Sequence, residues 1–84
     1  MLAHGSTAPL AFVMVSLQAY VNGAAVTVPP GGTALDAVRA ADPSAADAVT
    51  RQEMVITDSR GLPTTPDTPV HWGSIFRLIP SRPR

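Results

Sequence analysis

The order of apolar and polar residues predicts a hairpin near the start of the chain. Residues 16–21 and 24–28 alternate between apolar and polar side chains, as half-buried strands do. Asn22 and Gly23 between them both tolerate a positive φ, which a type I′ hairpin turn requires. Pro29 cannot donate a ladder hydrogen bond, so we expect the second strand to end there. The alternation places Leu17, Ala19 and Val21 on one face of the first strand, and Val26 and Val28 on one face of the second.

A helix is predicted after this hairpin, over about residues 34–41. Thr33 is a suitable N-cap, and the Asp36 carboxylate three residues later is placed to complete a capping box. Beyond this main helix the sequence predicts only a short helical turn over residues 45–49, with Ser44 as its cap. Three apolar residues recur at helical spacing along one stripe of the main helix: Leu35, Val38 and Ala41.

The second half of the chain is typical of three further strands. Residues 53–57 form the third strand, Leu62 begins a short return strand, and residues 74–79 form the last strand. In the last strand the alternation places Phe76 and Leu78 on the inner face, toward the helix. The side chains that it places on the outer face are Ile75, Arg77 and Ile79.

Composition narrows the possible chemistry. The chain has 84 residues, 45% of them hydrophobic, which suits one small domain. It contains no cysteine, which excludes disulfides, thiolate catalysis and iron–sulfur clusters. Six arginines balance six acidic residues, and this zero net charge argues against nucleic-acid binding, which usually needs a basic excess. Lysine is absent, so no side-chain amine can form a Schiff base or an isopeptide bond.

The sequence divides into a folded domain and two short terminal segments. We expect an N-terminal extension at residues 1–13, a folded domain at residues 14–80 and a tail at residues 81–84. The leading segment carries no positive charge and its apolar run is short, so a signal peptide is not indicated. No stretch approaches about 20 apolar residues, so no membrane span is expected and a cytoplasmic location is favoured. We expect the true start to be Met1 or Met14.

Several of these features together form one pattern: a first strand ending in Asn-Gly, a second ending in Pro-x-Gly-x-Thr, and a helix with apolar residues inward. The positions that carry it are Val21-Asn22-Gly23, Val28 to Thr33, Leu35 and Val38. Later in the chain, the pair Gly73-Ser74 leads into the last strand and completes the pattern. The pattern resembles the β-grasp, or ubiquitin-like, superfold, and within it the sulfur-carrier proteins of thiamine and molybdopterin synthesis. The resemblance covers residues 16–79. It implies an α+β fold in which a mixed sheet of four to five strands carries one main helix across one face.

The C-terminal residues depart from that family. Sulfur carriers and mature ubiquitin-like modifiers end in Gly-Gly, a slim terminus that an activating enzyme converts to an acyl-adenylate, whereas this tail has no glycine. The resemblance implies a non-enzymatic bacterial modifier or carrier, without a cofactor, that an activating or conjugating enzyme recognises. Three alternatives remain: a peptidase trims the tail, conjugation proceeds without glycine, or the domain only binds, as an assembly subunit of a multicomponent complex. The tail residues for processing or conjugation are Pro80, Ser81, Arg82, Pro83 and Arg84.

The outer face of the sheet is the candidate partner-binding surface. Ubiquitin-like proteins usually offer this face to protein partners, and contiguous exposed apolar area often marks an interaction site. Val55 or Thr57 is expected to join it. Alternatively, residues 1–13 or a second copy in a homodimer cover the face. Trp72 is expected to plug one end of the small core, with an interface role as the alternative. The predicted partner-binding residues are Tyr20, Ile75, Arg77 and Ile79.

Three other candidate sites are better explained as structural elements. His4 and His71 have no carboxylate at ligand spacing, so no metal site is predicted. Ser74, His71 and Asp67 are hydrolase residue types, but they lack a nucleophile elbow, so no catalysis is predicted. Residues 31–33 open a helix and resemble an anion cradle, but the P-loop lysine is missing, which favours a turn and a cap.

Overall fold

The computed structural model describes residues 16–81 of the chain. The predicted extension at residues 1–13, both candidate start residues, and tail residues 82–84 lie outside this part. The elements, in chain order, are β1 (Leu17–Val21), β2 (Ala24–Val28), α1 (Ala34–Ala41), α2 (Pro43–Thr50), β3 (Met54–Thr57), β4 (Pro63–Thr64) and β5 (Ser74–Pro80).

The five strands form one mixed sheet in the order β2-β1-β5-β3-β4. β1 and β5 are parallel, and the other neighbouring pairs are antiparallel. The last strand therefore lies at the centre of the sheet and joins the first hairpin to the β3–β4 pair. The expected α+β class and mixed sheet of four to five strands are confirmed, with two helices rather than one.

The first hairpin has the predicted turn. Asn22 and Gly23 have φ values of 51° and 87°, as a type I′ turn requires. Asn22 has a second structural role that its sequence position did not indicate. Its backbone N–H donates to the Phe76 carbonyl at 2.9 Å, and its side-chain Oδ1 accepts from the Leu78 N–H at 3.0 Å. These two bonds attach the hairpin turn to β5.

The first helix matches the prediction and the second does not. α1 begins at a capping box in which Asp36 N–H donates to Thr33 Oγ1 and Thr33 N–H donates to Asp36 Oδ2. The prediction of only a short turn capped by Ser44 was wrong, because α2 is a full eight-residue helix capped by Asp42. Pro43 suits the first helical position, where no N–H donor is needed, so Ser44 lies inside the helix and donates its N–H to Asp42.

The core lies between the helices and one face of the sheet, and alanine and valine dominate it. Phe76 is buried and Leu78 half-buried on this inner face, as the alternation predicted. The prediction that Trp72 plugs the core was wrong, since its side chain is 69% exposed. Val70 is buried instead, because the bond from its N–H to the Gly32 carbonyl holds that segment against the start of α1. The buried hydrophobic residues are Ala19, Val21, Val28, Ala34, Ala37, Val38, Ala46, Val49, Ile56, Val70 and Phe76.

Both helices within residues 16–81 have only eight residues, well short of what a membrane crossing needs.

Candidate partner-binding face

The face of the sheet that points away from α1 and α2 is called the open face here. Strand pairing decides which side chains share it, because residues directly opposite each other in a ladder lie on the same face. Within residues 16–81 neither helix packs on this side, since the buried core is on the other. The open-face residues are Gln18, Tyr20, Ala25, Thr27, Val55, Thr57, Pro63, Ile75, Arg77 and Ile79.

The structure brings all four predicted partner-binding residues to this face. Tyr20 lies directly beside Ile75 across the parallel β1–β5 ladder. Ile79 lies two residues beyond Arg77 on β5 and opposite Val55 of β3. Ile75 is 43% exposed and Ile79 is 46% exposed, which is unusual for isoleucine. The two isoleucines are four residues apart, or roughly 13 Å along the strand, with Arg77 midway between them.

Thr57 and Val55 were alternatives for completing this face, and the register places both on it. Thr57, however, is only 2% exposed, and its Oγ1 donates to the Arg77 carbonyl at 3.2 Å. It thus links β3 to β5 and offers a partner almost no surface. Val55 is half-buried and extends the apolar area around Ile79.

Tyr20 adds a polar group beside the apolar area. Its ring is half-buried, and its hydroxyl oxygen accepts from the Gln18 Nε2 at 3.1 Å. A phenol that accepts one hydrogen bond still has its own proton to donate. Tyr20 can therefore pack its ring against a partner and donate a hydrogen bond at the same time.

Arg77 carries the charge of the open face. Within residues 16–81 the ion pairs are Arg39–Asp36, Arg51–Glu53 and Arg60–Asp58, and none of them includes Arg77. All six acidic residues of the chain lie in this described part, and none of their carboxylates forms an ion pair with Arg77. The face thus has a positive centre between two exposed isoleucines.

The start of the predicted tail is held in the fold. Pro80 is the last residue of β5 and lies opposite Met54. Ser81 Oγ donates to the Gln52 carbonyl at 2.6 Å, and Ser81 N–H donates to the Glu53 carbonyl at 3.1 Å. An enzyme acting at Pro80 or Ser81 would first have to break these contacts. The other candidate processing residues, Arg82, Pro83 and Arg84, lie outside the described part.

The hydrolase-type residues form a turn. Ser74 Oγ accepts from the His71 backbone N–H at 2.8 Å, and Ser74 N–H donates to the His71 carbonyl at 3.0 Å. The Ser74 hydroxyl therefore caps the main chain at the start of β5. Among the described residues, no hydrogen bond joins the His71 imidazole to Asp67 or Ser74. The same part of the chain contains no cluster of three potential metal ligands. His4 lies outside it.

The start of α1 has no amide available for an anion. The N–H groups of residues 32–36 all donate to acceptors within the chain, namely Pro29 O, Asp36 Oδ2, Thr68 O, Pro66 O and Thr33 Oγ1 in that order. Gly32 is also enclosed, because a Cβ there would overlap the Val28 side chain. This segment is therefore a cap and a tight turn, as the sequence favoured.

Sequence reasoning missed a groove on the helix side of the sheet. Its volume is about 510 Å³, and it lies between α2, β3 and the loop after β4. Leu35, Val49, Met54 and Pro66 give it apolar walls, and Ser81 stands at its rim. Neither this groove nor the full length of α2 was predicted from the sequence.

Comparison with protein-family models, with curated proteins and with solved structures finds no match to this chain.

Proposed function

We propose that this protein is a non-enzymatic β-grasp, ubiquitin-like domain that binds a protein partner through its open face. The strand order β2-β1-β5-β3-β4, the parallel β1–β5 pair and the helical connection between β2 and β3 support this fold. The observation that carries the functional proposal is the row of Ile75, Arg77 and Ile79 on β5, where a cation without an ion-pair partner among the described residues lies between two exposed isoleucines.

The side chains of Ile75, Arg77 and Ile79 indicate what kind of partner surface would bind them. Two apolar side chains about 13 Å apart fit shallow pockets or a hydrophobic ridge, and Arg77 fits a carboxylate that reaches the space between them. Completing the burial of each isoleucine would stabilise a complex by about 1 kcal/mol, since roughly half of each side chain is still exposed. A desolvated Arg–carboxylate pair then supplies specificity more than affinity. The partner surface is thus apolar with an acidic residue at its centre.

The experiment compares variants of the open face with variants elsewhere on the surface. Ile79→Asp and Arg77→Glu alter the face, whereas Leu62→Asp alters an apolar residue in the β3–β4 turn that is 51% exposed. Arg39→Gln is the matched control for a lost arginine, because Arg39 is on α1 and pairs with Asp36. Each purified variant is first checked by its thermal melt. Proteins from the source cells that bind the unaltered chain are then identified, purified and titrated against every variant.

Ile79→Asp and Arg77→Glu are expected to weaken binding at least tenfold, while Leu62→Asp and Arg39→Gln leave it within about twofold. Restoration of binding to Arg77→Glu by exchanging the partner's acidic residue for arginine would identify the ion pair. Equal affinity for all four variants would exclude the open face as the binding surface. Unfolding of Ile79→Asp would show instead that Ile79 belongs to the core.

A modifier or carrier function is the second candidate, and the position of β5 favours it. This central strand carries the chain out of the sheet to Ser81, where only two hydrogen bonds hold the start of the tail. Incubation with an activating-type enzyme and a peptidase, followed by intact-mass measurement, tests it. Trimming plus an adenylate or ester adduct supports a modifier, and Ser81→Ala, which loses the bond to Gln52, should be trimmed faster. An unchanged mass contradicts it.

A further inference from the structure

The outer edge of β2 presents unpaired backbone groups. In the two-residue hairpin, Val21 and Ala24 form the first hydrogen-bonded pair, and such pairs recur at every second residue. Ala24, Val26 and Val28 therefore bond to β1. The N–H and C=O groups of Ala25 and Thr27 point the other way. Within residues 16–81 β1 is the only strand that pairs with β2, so these four groups are available to another strand.

This edge has none of the features by which proteins usually block pairing. β2 reads Ala-Ala-Val-Thr-Val and contains no charged residue and no proline. Its pairing with β1 is regular over all five residues, without a bulge. Ala24, Ala25 and Thr27 are exposed and small, so no long side chain shields the backbone. Edge strands that stay unpaired commonly carry a lysine, a proline or a bulge.

We infer that β2 pairs antiparallel with β2 of a second copy, about a two-fold axis at Val26. In this register Ala25 lies opposite Thr27 of the other copy, and Thr27 lies opposite its Ala25. Each of these two pairs exchanges two hydrogen bonds, so all four free groups of each strand acquire partners. A shift of two residues in either direction leaves only one such pair, with Ala25 or Thr27 opposite itself. Self-pairing thus favours one register.

The side chains suit this arrangement. Val26 points to the helix side, is half-buried and packs partly against the core. At the two-fold axis it would meet its own copy in a non-hydrogen-bonded pair, where side chains are closest. No like charges face each other, because β2 carries none. The ladder stops where Pro29 and Pro30, which have no N–H, come opposite the hairpin turn of the other copy.

Pairing with a second copy is favoured over pairing with a strand of another protein, because the two-fold arrangement gives every free N–H and C=O group of this edge a hydrogen-bond partner. An isologous interface needs a surface that is complementary to itself, and an uncharged edge with two donors and two acceptors meets that condition. The dimer would contain one continuous ten-stranded sheet. The open faces of the two copies would lie side by side on it.

The test uses two double variants of the full chain that differ at one residue. Ala25→Lys with Thr27→Glu places lysine opposite glutamate at both pairs of the inferred register. Ala25→Lys with Thr27→Lys places lysine opposite lysine at both pairs. Both positions are exposed, so thermal melts should show similar monomer stability. The dimer Kd is measured by sedimentation velocity over a wide concentration range, and amide exchange is measured residue by residue at low and high concentration.

The Lys/Glu variant should dimerise about as tightly as the unaltered chain, and the Lys/Lys variant should dimerise roughly tenfold more weakly or worse. The Ala25 and Thr27 amides should slow most at high concentration, because they gain partners only in the dimer, whereas the amides that bond to β1 already have partners in the monomer and should change less. A chain that stays monomeric at all concentrations overturns the inference. This holds also if residues 1–15 or another protein cover the edge of β2. A dimer that both double variants retain equally also overturns it.

Discussion

The bond between the Asn22 side chain and β5 yields a prediction that separates two functions of one residue. Asn22 adopts a positive φ in the hairpin turn, and its Oδ1 accepts from the Leu78 N–H at 3.0 Å. Asn22→Gly keeps the turn conformation and removes only the acceptor. Asn22→Ala removes the acceptor and also resists the positive φ. Asn22→Asp retains both properties and is the matched control.

The expected magnitudes follow from these two contributions. Loss of the hydrogen bond to Leu78 costs about 1 kcal/mol of unfolding free energy in Asn22→Gly. Left-handed geometry adds about 1–2 kcal/mol for alanine, so Asn22→Ala should lose about 2–3 kcal/mol in total. Asn22→Asp should stay within about 0.5 kcal/mol of the unaltered chain at neutral pH. For a domain of this size, 1 kcal/mol corresponds to roughly 4–8 °C in Tm.

The measurement is urea unfolding followed by circular dichroism, together with hydrogen exchange of the Leu78 amide. Asn22→Gly and Asn22→Ala should both accelerate exchange at Leu78, because both lose its acceptor. If Asn22→Gly is as stable as the unaltered chain while Asn22→Ala is not, only the turn conformation matters. The link between hairpin and β5 would then contribute nothing to stability.

Three further predictions concern the helix start and the β3–β4 turn. Gly32→Ala should cost about 1–3 kcal/mol because its Cβ overlaps the Val28 side chain, and urea titration should show a smaller cost for Gly32→Ala when Val28→Ala is already present. Thr33→Ala should cost about 1 kcal/mol in the same assay, since it removes the acceptor for the Asp36 N–H. Hydrogen bonds from the Leu62 N–H, then from Arg60, hold the pKa of Asp58 below its ordinary value of 3.8. The carboxylate therefore adds stability that is present above that value and lost as pH falls through the lower folded pKa. Asp58→Asn should make acid unfolding below pH 3.8 less steep, and an unchanged slope would contradict this.

Local signals in the sequence account for much of the fold. The Asn-Gly turn, the capping box at Thr33 and the alternation along β5 each depend on residues within a few positions of one another. For the same reason the outward position of Ile75 and Ile79 could be predicted before their neighbours were known. Whether a partner uses that face stays a prediction, because a binding surface is defined by a second molecule.

The features that sequence reasoning missed depend on distant residues. Trp72 is exposed because Val70, held by Gly32, already occupies the inner position of that segment. The side-chain bond of Asn22 reaches a residue 56 positions away, and no local pattern indicates it. The second helix is different, since Asp42-Pro43 was interpreted as the end of one helix although it also begins another.

The central position of β5 has a consequence for synthesis on the ribosome. β1 and β2 can pair as soon as they emerge, but the strand that joins them to β3 is the last of the described elements. Until β5 arrives, β1 has an unpaired edge, and β3 and β4 have nothing to pair with except each other. Such long-range closure is slow, and the waiting chain exposes apolar surface and strand edges. The nascent chain should therefore expose these edges until β5 has emerged.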